Sequence, residues 1–164
     1  MPQVLKDNAV VEDIWITLED TTTAAESLPE GNLLLTYNQW LEFSAQLNNR
    51  DGHIGVIIDG NAEIEEIIQP LLDLPLIAVN FPKFVDGRGF STARLLRERY
   101  NYSGEIRAVG GFIRDQLYLL SRCGFNAFKF DDTTDLTACA ASLQDFSESY
   151  QVSADQENPL FRRR

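Results

Sequence analysis

Histidine occurs once in this 164-residue chain, at His53, and cysteine only twice, at Cys123 and Cys139. Both scarcities exclude chemistry. A Ser-His-Asp or Cys-His nucleophile would have to use His53, which follows Asp51-Gly52 at the start of a predicted strand, where a loop role is expected. The cysteines lie 16 positions apart with no CxxC, so neither a thioredoxin-type pair nor a zinc cage is encoded. A disulfide between them is disfavoured in a reducing compartment. No His/Cys cluster suits a metal, and no haem, flavin or iron–sulfur ligand set is present, so no cofactor is expected. The GRG of residues 87–89 lacks the third glycine of a dinucleotide fingerprint, and no GxxxxGK[ST] loop occurs. No apolar run approaches the roughly 18–20 residues that span a bilayer. The beginning, MPQVLKDNAVVED, lacks a basic-then-apolar leader, so the expected location is the cytoplasm.

Positive charge is also scarce overall. The net charge is −11 and the pI about 4.4, which argues against a nucleic-acid partner because the long-range field repels phosphate. What is present is enough for a globular fold: 44% hydrophobic residues, ten of them Phe. The length suits one α/β domain over residues 1–150, followed by a polar carboxy-terminal tail, QVSADQENPLFRRR (151–164), expected to be mobile.

Five short apolar runs alternate with helix-like stretches: LLLT (33–36), IGVIID (54–59), LIAVNF (76–81), EIRAVG (105–110) and NAFKF (126–130). Their near-continuous apolarity is that of strands buried on both faces. The alternation predicts right-handed βαβ units and a mostly parallel open sheet of about five βα units flanked by helices, with a partial barrel as second choice. VVEDIWITLED adds one extra edge strand near the amino terminus, and the acidic, Thr-rich stretch after it reads as a loop. Ser91 or Thr92 is expected to cap the helix ARLLRERY, with Ala93, Leu96 and Tyr100 on one face. In the next helix Ile113, Leu117 and Leu120 form the inward stripe, and Gly124 is expected to end it in the left-handed conformation. A final helix is expected within TDLTACAASLQDFSESY.

The acidic chain carries one basic stretch. From Lys83 to Lys129 there are nine basic residues (Lys83, Arg88, Arg94, Arg97, Arg99, Arg107, Arg114, Arg122 and Lys129) against four acids (Asp86, Glu98, Glu105 and Asp115). Two glycine-bearing turns punctuate it, Asp86-Gly87-Arg88-Gly89 after LIAVNF and Gly110-Gly111 after EIRAV. In parallel sheets ligands bind beyond the carboxyl ends of strands, and both turns fall there. Arg94 and Arg114 are placed early in their helices, where the macrodipole disfavours a cation unless an acid or an anion answers it. Candidate residues for binding an anion or a partner are therefore Lys83, Arg88, Gly89, Ser91, Arg94, Gly110, Arg114 and Gln116, with Asp86 and Asp115 as candidate acid/base groups. Three roles stay open for this stretch. They are surface pairing, for which Arg94 and Glu98 have the i, i+4 spacing, a partner-protein interface, and a site for a small oxyanion. Cys123, beside Arg122 at a helix end, is expected to be a buried structural thiol.

The strings FPKFVDGRGFSTARLLRERY and GEIRAVGGFIRDQLYLLSRCGFNAF resemble the bacterial family known as domain of unknown function 934, with similarity running nearly end to end, from Trp15 to the Tyr-Gln at 150–151. Lys83, Asp86, Arg88, Ser91, Arg94, Arg97, Arg114, Asp115, Gln116, Arg122 and Cys123 match the family string. Gly111 departs from it, standing where relatives more often carry an acid. The resemblance implies a connection with assimilatory sulfite reduction, since members are described as oxidoreductases of that pathway from their association with sulfite reductase. The function so implied is an accessory protein working with sulfite reductase or another sulfur-assimilation protein through the basic glycine turns, with PLFRRR as a docking peptide. The alternatives are a small α/β enzyme binding an anionic metabolite and a non-catalytic scaffold module. No membrane partner is expected.

Overall fold

The computed structural model describes residues 1–20, 28–144 and 151–163. Its frame is one eight-stranded sheet. In chain order the strands are β1 (Gln3–Lys6), β2 (Ala9–Glu12), β3 (Trp15–Thr17), β4 (Asn32–Thr36), β5 (Ile54–Asp59), β6 (Leu76–Phe81), β7 (Glu105–Gly110) and β8 (Ala127–Phe128). Across the sheet the order is β2-β1-β8-β7-β6-β5-β4-β3. Strands β3 to β8 run parallel to their neighbours in sequence order, and β1 and β2 form an antiparallel hairpin against β8. Sequential parallel order with right-handed crossovers places the connecting helices on one face and leaves the other to curl inward.

The connection from β2 to β3 shows how far it curls. These strands sit at opposite edges of the sheet, yet only Asp13 and Ile14 separate them. Three Cα–Cα steps span at most about 11 Å, whereas a flat sheet of eight strands would be roughly 34 Å wide. The sheet is therefore a curled, mostly parallel half-barrel flanked by helices, an outcome that joins the expected open sheet to its barrel alternative.

Strand register sorts the side chains between the faces. Leu34, Gly55, Leu76 and Glu105 are successive partners, as are Thr36, Ile57, Ala78, Arg107 and Ala127, and then Asp59, Asn80 and Val109. These rows line the concave face. The alternate residues, among them Val56, Ile58, Ile77, Val79, Phe81, Ile106, Ala108 and Phe128, join Leu5 and the helices in the main core. With both faces covered, the central strands are apolar at nearly every position.

The helices are α1 (Tyr37–Glu42), α2 (Ser44–Leu47), α3 (Ile64–Ile67), α4 (Arg88–Glu98), α5 (Leu117–Arg122), α6 (Leu136–Ser142) and α7 (Leu160–Arg163). Thr36 caps α1 in a reciprocal capping box with Gln39, and Asp135 caps α6. Pro70 follows α3 in a 3-10 turn over Gln69–Leu71, so that helix ends at Ile67. Gly124, at φ +113°, does terminate its helix in the left-handed region.

Several expectations are corrected. VVEDIWITLED is not one strand: its two halves belong to opposite edges, divided at Asp13-Ile14. The β1–β2 hairpin went unforeseen, although its turn residues Asp7 and Asn8 (φ 48° and 65°) are of the type that two-residue hairpins favour. NAFKF pairs only over Ala127–Phe128. Ser91 and Thr92 cap nothing, because α4 starts earlier, with Gly87 as its N-cap residue; the Thr92 hydroxyl instead donates to the Gly60 carbonyl at 3.3 Å. Arg94 therefore lies in the middle of α4, away from its dipole end. Ile113 is exposed, and only Leu117 and Leu120 turn inward. The last helix covers Leu136–Ser142, and the remainder of its expected span (145–150), like the acidic stretch at 21–27, lies outside the described residues.

Candidate functional site

The two glycine turns adjoin. The Gly111 N–H donates to the Phe81 carbonyl at 2.6 Å, and the Gln116 amide ties the loops together, its Nε2 donating to the Phe84 carbonyl at 2.8 Å while its Oε1 accepts from the Ile113 N–H at 3.1 Å. Beneath them lies a group of aromatic rings: Phe81 packs against Phe90, Phe112 and Phe125, and Phe112 against Phe128 and Phe130. This packing accounts for the glycines. A methyl group on Gly89 would sit 2.7 Å from the Phe81 ring, and one on Gly110, already at φ +93°, would sit 2.5 Å from the Phe81 carbonyl oxygen.

Each candidate residue has a definite place. In the first turn, Arg88 folds back on Asp86, its Nε donating to Oδ1 at 2.9 Å and its backbone N–H to the same oxygen at 3.2 Å. Those hydrogen bonds hold the Asp86 carboxyl down at about 2, so it stays ionised and is a poor proton carrier near neutral pH. Ser91 is an exposed residue of α4. Arg94 pairs with Glu98 at 3.0 Å. Arg114, at the start of the 3-10 turn before α5, donates from Nε to the Ser142 hydroxyl of α6 at 2.6 Å. Asp115 is exposed. Lys83 is exposed and pairs with no acid among the described residues.

The other basic residues also find partners inside the molecule. Arg97 is a clamp, donating to the carbonyls of Gly124, Tyr102 and Gly104 at 3.0, 2.6 and 2.8 Å and to Asn126 Oδ1 at 3.3 Å; burial lowers its pKa. Arg99 pairs with Glu65. Arg122 donates to the Gln151 carbonyl and to Asp155, which lays part of the expected tail against α5. Within that tail Leu160–Arg163 forms the short helix α7.

The concave face holds the charges that spacing alone could not place. Arg107, 2% exposed, donates from Nε to Glu105 at 2.7 Å and from Nη1 to Asp13 at 2.9 Å. Lys6 reaches the second oxygen of Glu105 at 2.8 Å and Lys129 that of Asp13 at 3.3 Å. Strand β7 thus binds the β2–β3 connection directly. The sequence signal was weak: Glu105 and Arg107 alternate in a strand, which also describes a solvated face.

The turns also display residues that were not candidates. Phe84, Val85 and Ile113 are exposed by 54%, 71% and 42%. They stand on the two loops that Gln116 joins, and the legible hint was a pair of apolar residues inside the turn FPKFVDGRG. Cys123 is half-buried and burial raises its pKa, outweighing Arg94 and Arg122. Among the described residues no group of three or more His, Cys, Asp or Glu is placed to hold a metal ion, and no helix is long and apolar enough to cross a membrane.

Compared with known protein families, residues 55–161 match the family described as "Bacterial protein of unknown function (DUF934)". The match runs from β5 onward, leaving out β1–β4 and Trp15. No curated protein and no solved structure matches the chain.

Proposed function

Because the chain belongs to the bacterial DUF934 family, we propose that it is a non-catalytic docking module whose interface is the joined glycine-turn face, and that its partner acts in sulfite reduction. The observation that carries this reading is the exposure of Phe84, Val85 and Ile113 on two loops tied by one glutamine amide, beside Lys83, which pairs with no acid among the described residues. Exposed apolar side chains clustered on a rigid support are characteristic of a protein interface. Full burial of each would contribute about 1.5–3 kcal/mol before ordering costs are subtracted. Lys83 flanks them, so the complementary surface is apolar with an acidic group at its rim. A small oxyanion is less well served, since Arg88, Arg94 and Arg114 already have intramolecular partners. The choice of partner rests on the family resemblance, which associates these proteins with sulfite reductase.

The test is retention of purified sulfite reductase on the immobilised protein, compared with the double variant Phe84→Ser/Val85→Ser and with Lys83→Glu. Docking through this face predicts at least about tenfold weaker binding for the double variant, the loss of roughly one buried aromatic anchor. If the reductase is never retained and a deletion strain grows normally on sulfate as sole sulfur source, the accessory role fails.

A further inference from the structure

A second feature lies beside the glycine turns, at the carboxyl ends of β4, β5 and β6. There a cavity of about 360 Å³ opens between the first residues of α1 and the loop that leads to α3, at the small end of the range for ligand pockets. Its polar lining includes Tyr37, Asn38, Asp59, Asn61 and Asn80, over an apolar floor provided by Ile57. The carboxyl end of a parallel half-barrel is where strand ends and loops present side chains to a ligand.

Asp59 is exposed and pairs with no cation among the described residues, and none of the residues lining the cavity is basic. Its Oδ1 accepts from Asn80 Nδ2 at 3.1 Å, which leaves Oδ2 without a partner among the described residues. The Asn80 amide fills the space over Gly110, its oxygen 2.6 Å from where a methyl group on that glycine would be. The Tyr37 hydroxyl and the Asn38 and Asn61 amides make no hydrogen bond with the described residues. The Tyr37 ring is itself backed by Trp40, with centroids 5.9 Å apart. One uncompensated carboxylate, two free amides and a braced aromatic wall form a set of acceptors and donors suited to a small cation that also carries hydroxyl groups.

We infer that this cavity binds a small hydroxylated amine, an amino sugar or amino alcohol. The ammonium group donates to Asp59 Oδ2, the hydroxyls exchange hydrogen bonds with Asn38 and Asn61, and the carbon skeleton rests on Ile57 and Tyr37. The site is independent of the docking face, and either can fail without the other.

Glucosamine is the probe, with glucose as the isosteric neutral comparator. Amide chemical shifts of the full chain, followed by NMR during titration, are expected to move saturably for residues 36–38, 59–62 and 80. Glucose should bind at least about tenfold more weakly, the loss of a charge-assisted hydrogen bond. Asp59→Asn should abolish the preference for glucosamine over glucose without changing the melting temperature, and Asn61→Ala should weaken both sugars. Because both residues are solvent-exposed, a second reading through Asn61→Ala remains available if Asp59→Asn perturbs the fold. Absence of saturation up to roughly 50 mM glucosamine, far above any useful affinity, overturns the inference. Equal binding of the two sugars, or shifts confined to another part of the chain, overturns it as well.

Discussion

Replacing Arg107 with methionine should reveal what holds the half-barrel curled. The guanidinium is 2% exposed and is the direct link between β7 and Asp13, the residue at which the chain crosses from one sheet edge to the other. Removing one member of a buried ion pair costs about 3–5 kcal/mol, because the partner charge stays behind without compensation. Here two carboxylates are left, but Lys6 still reaches Glu105 at 2.8 Å and Lys129 still reaches Asp13 at 3.3 Å. Methionine also fills most of the vacated volume. The low end, about 3 kcal/mol, is therefore expected, equivalent to a fall of roughly 6–12 °C in melting temperature for a domain of this size. The assay is urea unfolding of four proteins: parent, Arg107→Met, Asp13→Asn and the double variant. Asp13→Asn should cost much less in the Arg107→Met background than alone, with a coupling of about 1–3 kcal/mol. A loss below about 1 kcal/mol for Arg107→Met, or additive losses in the double variant, would refute the reasoning.

Three further outcomes can be checked. Gly89→Ala should destabilise the domain by about 1–3 kcal/mol, since the new methyl group meets the fully buried Phe81 ring; an unchanged unfolding midpoint would show that the ring yields. The Asp86 carboxyl should titrate at about 2 by NMR and return toward the ordinary aspartate value in Arg88→Ala. Because its folded pKa lies below the unfolded one, its contribution to stability is present above about pH 4 and is lost as the pH falls toward 2. Cys123 should react with iodoacetamide more slowly than free cysteine at neutral pH, since burial raises its pKa; faster reaction would contradict that environment.

The parallel strands were legible because each carries its own signal. IGVIID, LIAVNF and EIRAVG coincide with β5, β6 and β7 to the residue, since a strand buried on both faces must be apolar at almost every position. The short pieces were not legible in this way. Strands β1, β2 and β3, of four, four and three residues, are too brief to show a period, and the pairing of β1 with β8 joins opposite ends of the chain. The helix start at Arg88 was missed because Ser91 and Thr92 carry the usual capping side chains, while the observed N-cap, Gly87, has none.

The candidate site divides along the same line. Adjacency of the two glycine turns followed from sequential βα units, and the hydrogen bonds of Gly111 and Gln116 bear it out. What the turns present did not follow. Ile113 falls on a helical stripe with Leu117 and Leu120, but the chain before Arg114 is extended, so that stripe loses its first member to the surface.

The sequence by itself determined an α/β chain with a parallel core, the strand edge at which its glycine turns lie, and a surplus of positive charge between residues 83 and 129. Only the tertiary structure decided what that charge is for. Arg99 meets Glu65, Arg107 and Lys129 meet Asp13, and Arg122 meets Asp155, so acids from both flanks answer the basic stretch. Charge composition is a property of a segment, whereas neutralisation depends on which segments the fold brings within about 4 Å. Curling the sheet until Asp13 reaches Arg107 is a long-range event that no local pattern encodes. It leaves Lys83 as the one member of the nine without a partner among the described residues, beside the exposed Phe84 and Val85.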